Sequence, residues 1–257
     1  MITRSDRKAS RVVALTSLSA DMVVSLDPDV LVGVPGTSLT KNDTRFKGIK
    51  RISSGRSQPR LEAIVALKPD LVVGADGFHS KILGRLNGLG IATLSFRIDR
   101  WSRLEEAAQS LQQTISNSDV LQQKLDGICP AVSGVTTSPS SRVLILIGTS
   151  PKLSPASESW SGSLLARHGL VNVTQGLSGE SEFSGYITMS NERLLTVNPD
   201  TVLAVNPSGG VKQLRQSILK FLPNVQSNHV VEMDYYGLVN PGSLSSISSA
   251  CQRLRHL

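Results

Sequence analysis

Aromatic residues are scarce in this chain. Two Trp, three Tyr and five Phe make up 4% of its 257 residues, so each ring is a candidate ligand contact in its own right. Cysteine is scarcer still. Cys129 and Cys251 form no CxxC or CxxxH pattern, which excludes a zinc site of ordinary spacing. No stretch approaches the ~18 uninterrupted apolar residues of a membrane span. No GxSxG elbow, P-loop or GxGxxG follows any predicted strand, and no acid–base pair converges with a nucleotide site. An enzyme built on two α/β lobes therefore lacks its machinery here, and no catalytic residue is assigned. The start, MITRSDRKAS, is polar and has no apolar signal core. That leaves open a cytoplasmic chain or one whose export signal has been removed.

What is present is a soluble composition with a positive balance. Hydrophobic residues make up 39%, mean hydropathy is −0.01, and the formal charge is +7. Such a charge fits nucleic acid, an acidic surface or an anionic small ligand. The basic residues concentrate in one predicted loop, as Lys41, Arg45, Lys47, Lys50, Arg51, Arg56 and Arg60. No basic helix or RNA-binding motif accompanies them, so a nucleic-acid partner is not expected. A solvated basic loop or an anion-binding loop remains. Cys129 ends a predicted helix and Cys251 lies on the last one. A disulfide in an exported chain and two buried free thiols both fit.

The chain also says one thing twice. Residues 61–73 read LEAIVALKPDLVV and residues 191–203 read NERLLTVNPDTVL, with Glu62 and Glu192 each seven positions before a Pro-Asp pair. Each copy reads as an acidic helix start, an apolar stripe at helical spacing, a Pro-Asp stop and a buried strand. The separation of roughly 130 residues is too long for a solenoid repeat and fits two similar α/β lobes, with an acidic residue at the same place on each.

Elements alternate accordingly. Strands are expected at 11–15, 31–34, 71–73 and 92–96, with helices at 16–26, 61–67 and 79–89 and a long loop at 36–59. This alternation implies a parallel sheet with helices on its faces. Residues 102–128 contain no strand pattern and read as helix, interrupted near Ser116-Asn117. The pattern restarts with the strand RVLILI at 142–147, a loop at 148–160 and a helix at 161–168. The loop 174–188, helix 192–197, strand 201–205, helix 211–221, strand 230–233 and a last helix from about 244 complete it. Three parts follow: an N-terminal α/β lobe (1–100), a helical linker (101–139) and a C-terminal α/β lobe (140–257).

The order and spacing of RVVALTSLSADMVVSL, LEAIVALKPDLVVGADG, the Leu89-Gly90-Ile91 turn, RVLILIG, NERLLTVNPDTVLAV and VVEMDYYGLVNPGSL resemble the substrate-binding proteins of metal-chelate ABC importers. The resemblance covers nearly the whole chain from Arg11 to Arg255. It implies two Rossmann-like lobes joined by a long α-helix, with a ligand cleft between them. It also implies a monomeric, extracytoplasmic protein in the periplasm or at the envelope surface, with or without a lipid anchor, that hands its ligand to a membrane ABC permease dimer. The SSGRSQPRLE segment is most similar to receptors for hydroxamate siderophores, which place an arginine at the position of Arg56. Haem receptors often carry a ligating tyrosine there, and this chain has none. A ferric siderophore of hydroxamate or citrate type is thus the expected ligand, with cobalamin or haem as alternatives and no resident cofactor or metal.

A guanidinium presents a planar, permanently charged fork to the oxygens around ferric iron, which gives Arg56 its expected role. Phe78 resembles an aromatic cleft position of the same receptors. NVTQG (172–176) resembles a stretch that bears a cleft tryptophan, but here Thr174 stands at that place. Trp160 fits either a cleft wall or a packing residue at a helix start. Tyr235 and Tyr236 read as loop residues open to the ligand, and Tyr186 is similar. Trp101 reads as packing. His79 has no second ligand at set spacing, a pattern of structural or solvated histidines. Glu62 and Glu192 favour helix starts electrostatically, and the resemblance assigns both to permease docking.

Overall fold

The computed structural model describes residues 8–55, 57–131, 141–177, 181, 185–207 and 211–257. The chain forms two compact units. The first runs to Ile98 and takes in Ser102–Gly127 and Gly242–Leu244, and the second comprises Asp99–Trp101, Ile128–Pro241 and Ser245–Leu257.

In the first unit, β1 (Val12–Ala14) leads into α1 (Ser17–Leu26), then β2 (Leu31–Val34), α2 (Ser38–Lys41) and β3 (Lys50–Arg51). After these come α3 (Leu61–Val65), β4 (Leu71–Ala75), α4 (Ser80–Gly88) and β5 (Ala92–Phe96). The strands make one parallel sheet in the order β3-β2-β1-β4-β5. The runs VVA and LVV can sit only where both sheet faces are covered. Val12, Val13, Val72 and Val73 are fully buried. Ile64, Leu83 and Leu86, from the helices, pack against Val13 and Val72. Helix α1 starts where expected because Thr16 and Ser19 form a reciprocal capping box, which satisfies donors the helix leaves open.

The helical segment after β5 divides into α5 (Trp101–Ile115) and α6 (Val120–Ile128). The break falls at the anticipated place, where Asn117 adopts a left-handed φ of 54°, a conformation asparagine tolerates. Leu104, Ala107, Ala108, Leu111 and Ile115 form one buried stripe on α5, and Leu121 and Leu125 continue it on α6. With these apolar faces to cover, Ser102–Gly127 packs as part of the first unit.

The second unit contains β6 (Arg142–Ile147), β7 (Leu153–Pro155), α7 (Trp160–Arg167), β8 (Val171–Asn172) and β9 (Tyr186–Thr188). Then follow α8 (Asn191–Thr196), β10 (Thr201–Val205), α9 (Val211–Phe221), β11 (Val230–Glu232), a short helical turn α10 (Tyr235–Leu238) and α11 (Leu244–Leu254). The sheet order is β11-β10-β6-β7-β9, with β8 also beside β6. Read outward from the central strand, this repeats the first sheet: β6 stands for β1, β10 and β11 for β4 and β5, β7 and β9 for β2 and β3. Two strands differ: β7 runs antiparallel to both its neighbours, and β8 has no counterpart in the first sheet. Leu144, Leu146, Val202 and Ala204 are fully buried against Leu214 and Ile218 of α9.

Three expectations change. The region 36–59 is not plain loop but carries α2, a 3-10 turn at Thr44–Phe46 and the edge strand β3. The region 148–160 contains β7, too short and too proline-marked to announce itself. Tyr235 and Tyr236 open a helical turn broken at Tyr236 and Gly237, where φ reaches 93°. The two cysteines form a disulfide, and both are fully buried.

Candidate functional site

A parallel sheet gathers every loop that follows a strand at one edge, and ligands of α/β proteins sit there. In the first unit that carboxyl edge brings together Thr16 and Ser17 after β1, Gly36 and Thr37 after β2, residues 52–55 and 57–60 after β3 and Asp76–His79 after β4. The Ser17 and Thr37 hydroxyls hydrogen-bond at 2.6 Å. Gly55 donates its N–H to the Gly36 carbonyl at 3.0 Å. Gly36 permits this approach, because a Cβ there would lie 2.3 Å from the Ser53 carbonyl oxygen. Gln58 then donates from Nε2 to the Phe78 carbonyl at 3.2 Å. The basic loop and the Phe78 loop are therefore fastened together. Arg56 lies outside the described residues.

Phe78 is 60% exposed, with its ring edge-on to His79 at 4.8 Å. His79 is buried, and its Nδ1 accepts the Ala75 N–H at 3.0 Å. Burial holds its pKa below the ordinary imidazole value. This is a packed, neutral histidine with one nitrogen already engaged. The basic loop divides in function. Arg45 pairs with buried Asp21 at 2.8 Å and with Asp43, and these carboxylates raise its pKa. Arg51 donates to the carbonyls of Thr40 and Phe46. Lys41, Lys47, Lys50 and Arg60 remain exposed.

In the second unit Trp160 takes the packing role. It is 4% exposed, stacks on Trp101 at 6.1 Å and donates its indole N–H to the Gly237 carbonyl at 2.8 Å. Thr174 is buried too, bonded to the Pro155 carbonyl and to Asn172. Tyr235 and Tyr236 are half-buried and meet edge-to-face at 5.4 Å just past β11. Tyr186 opens β9, and burial, aided by nearby Tyr235, pushes its phenol up to about 12. Tyr186 is thus a neutral hydrogen-bonding group at ordinary pH.

Glu62 and Glu192 occupy the first turns of α3 and α8, both exposed. Across 61–70 and 191–200, nine of ten positions share the same exposure class, so the repeat extends from sequence to solvent contact. The Glu192 carboxyl is held below its usual range by its own backbone N–H and by the Ser190 hydroxyl.

The repeat also carries a clamp that residue spacing alone did not reveal. The Asp70 carboxylate accepts from the Ser10 and Arg11 backbone N–H groups, and the Asp200 carboxylate accepts from the Arg142 N–H at 2.8 Å. Arg11 and Arg142 return bonds to the carbonyls of Lys68 and Asn198. Burial raises the Asp70 carboxyl, but the hydrogen bonds from Ser10 and Arg11 outweigh it and leave the pKa lowered. Each Pro-Asp stop thus fastens the entry of its central strand. The signal was the Arg that begins both RVVAL and RVLILI.

Among the described residues, Cys129, His168 and Cys251 form a buried cluster with ligand atoms within 4.8 Å of one another. The sulfurs are bonded to each other, so no thiolate is available to a metal. No helix of the described residues is long and apolar enough to cross a membrane.

Two units built on the same sheet plan define a two-lobed α/β architecture. The family described as "Periplasmic binding protein" matches residues 12–236, and the chain belongs to it. The Fe(3+) dicitrate-binding periplasmic protein FecB of Escherichia coli is 27% identical over 186 residues, covering 70% of this chain and 60% of that protein. A cobalamin-binding protein of Halobacterium salinarum is 26% identical over 217 residues, covering 77% of this chain and 54% of that one. The chain thus spans less than two thirds of these relatives' lengths. Among solved structures, the vitamin B12-binding protein BtuF of Vibrio cholerae superposes with a TM-score of 0.72 at 18% identity, covering 96% of this chain and 97% of that one. IsdE of S. aureus, complexed with heme, gives 0.71 at 20%, covering 95% and 97%. At such identities these two structures speak to the fold.

Proposed function

We propose that this protein is an extracytoplasmic receptor that captures a ferric siderophore, of hydroxamate or citrate type, and delivers it to an ABC permease. The observation that carries the reading is the Gln58–Phe78 bond. It fastens Gln58, which follows Arg56 by two positions in the sequence, to the loop of an aromatic ring left 60% exposed, at the sheet edge where α/β proteins bind ligands. A ferric chelate needs both chemistries: a cation for the anionic oxygens around the iron and a flat apolar surface for the carbon skeleton. Lys41, Lys47, Lys50 and Arg60 add a positive field that attracts an anion. In the second unit Tyr186, Tyr235 and Tyr236 supply rings and hydroxyls, while Trp160 is committed to packing. The relative named for ferric dicitrate supports the same ligand class. No catalytic group is assigned, and binding leaves the chelate chemically unchanged.

The test is calorimetric titration of ferric dicitrate into wild-type protein and the Arg56→Ala variant. Removing a charge-assisted contact of this kind costs about 2 kcal/mol, a weakening of roughly 30-fold. Affinity of the wild type should also fall with added salt, because part of the attraction is screened. Equal affinity in the variant would remove Arg56 from the site.

Cobalamin is the second reading, favoured by the relative named for it. It has no shell of ferric oxygens for a guanidinium, so Arg56→Ala should leave its binding nearly unchanged.

A further inference from the structure

Five large apolar side chains stand exposed among the described residues: Val65, Phe78, Leu89, Val120 and Leu195. Two of them, Val65 and Leu195, occupy the same place in the repeat. Each lies three residues after the repeated glutamate, and residues three apart share one face of a helix. Val65 is 37% exposed and Leu195 is 64% exposed, although buried Ile64 and Leu194 beside them anchor their helices. The next positions, Ala66 and Thr196, are small and also exposed. Each unit therefore presents Glu, then an apolar knob, then a small residue, which caps α3 in the first unit and ends α8 in the second. The repeated fold accounts for the shared exposure of these two positions, but helix stability does not require that both carry a large apolar side chain. Single exposed apolar residues are ordinary, but a pair matched by topology, sequence position and a neighbouring carboxylate is not.

We propose that Val65 and Leu195 are the apolar halves of two equivalent docking knobs, each received by a socket that sets an apolar hollow beside a cationic side chain. The occupant this geometry fits is a partner built from two equal halves, one socket on each. The inference rests on the permease reading above and adds to it the residues that hold the complex once formed. Glu62 and Glu192, both exposed, act over distance and speed encounter. Val65 and Leu195 lose water only on contact and so govern release.

The experiment immobilises the importer's permease–ATPase complex in nanodiscs and measures binding of the ligand-free protein by interferometry at several salt concentrations. Val65→Ser, Leu195→Ser and their double variant are compared with Glu62→Gln/Glu192→Gln, after melting curves confirm unchanged folding. The expected result is faster dissociation, about threefold for each serine variant and about tenfold for the pair, with the salt dependence of association intact. The glutamine variant should instead associate more slowly and lose most of its salt dependence. If the serine variants dissociate like wild type while the glutamine variant is impaired, the apolar knobs are refuted and the docking reading stands. If neither set changes binding, the docking reading itself fails.

Discussion

Removing the Cys129–Cys251 disulfide should destabilise the second unit and spare the first. The bond joins residues 122 apart, and nearly all of that loop lies in the second unit. In the chain-entropy treatment, closing a loop of this length removes about 16 cal/mol/K from the unfolded ensemble, or about 5 kcal/mol at 25 °C. That figure is a ceiling, because residual structure in the unfolded chain reduces it. The second unit holds about 130 residues. At about 2.1 cal/mol/K per residue its unfolding entropy is about 0.27 kcal/mol/K, so the loss corresponds to a fall in Tm of up to roughly 18 °C. Both sulfurs are fully buried, so reductant alone will act slowly. The Cys129→Ala/Cys251→Ala variant is the direct perturbation. Calorimetry should resolve a transition that moves down by several degrees beside one that stays, and the wild type should show no reactive thiol even in denaturant. A shift below about 2 °C, or equal shifts of both transitions, would mean that the disulfide does not selectively stabilise the second unit.

Two further effects follow from local geometry and from burial. Gly237→Ala should cost several kcal/mol, since φ is 93° and the new Cβ would meet the Ser246 carbonyl oxygen at 2.0 Å; a urea midpoint within error of wild type would contradict this. His79 and His168 both have lowered pKa values, by burial for His79 and by burial with Arg255 and Arg167 nearby for His168. The unfolded chain binds these protons first, so stability is full above pH 6.5 and declines as pH falls toward the folded pKa values. The slope is at most about 1.4 kcal/mol per pH unit for each. His79→Asn, which keeps an acceptor for the Ala75 N–H, should flatten the pH dependence of the first unit alone.

Much of the fold was legible because buried parallel strands need continuous β-branched runs. The segments at 31–34, 142–147 and 201–205 fall where the residues place them, and the edge strand at 92–96 does so by its position after the Leu89-Gly90-Ile91 turn. The repeat was legible through Glu and Pro-Asp, and it proved to hold in exposure and in sheet order as well. Strand β7 was hidden because Leu-Ser-Pro carries no periodicity, and its pairing with β9 spans more than thirty residues of separation. Asp21 was equally silent. It sits in an ordinary helical pattern, yet it holds Arg45 and caps the N–H of Leu244 at 2.7 Å, a partner 223 residues away. Trp160 was ambiguous because its two partners, Trp101 and the Gly237 carbonyl, are both distant in sequence. In each case the missing information was a long-range neighbour, which local spacing does not encode.

The most direct test of the account is a calorimetric panel on ligand-free protein with ferric dicitrate, a ferric hydroxamate, cobalamin and hemin. One equivalent of a ferric siderophore should bind most tightly, with the chelate recovered intact after denaturation. Tighter binding of cobalamin or hemin, no binding by any of the four, or a chemically altered chelate would contradict it.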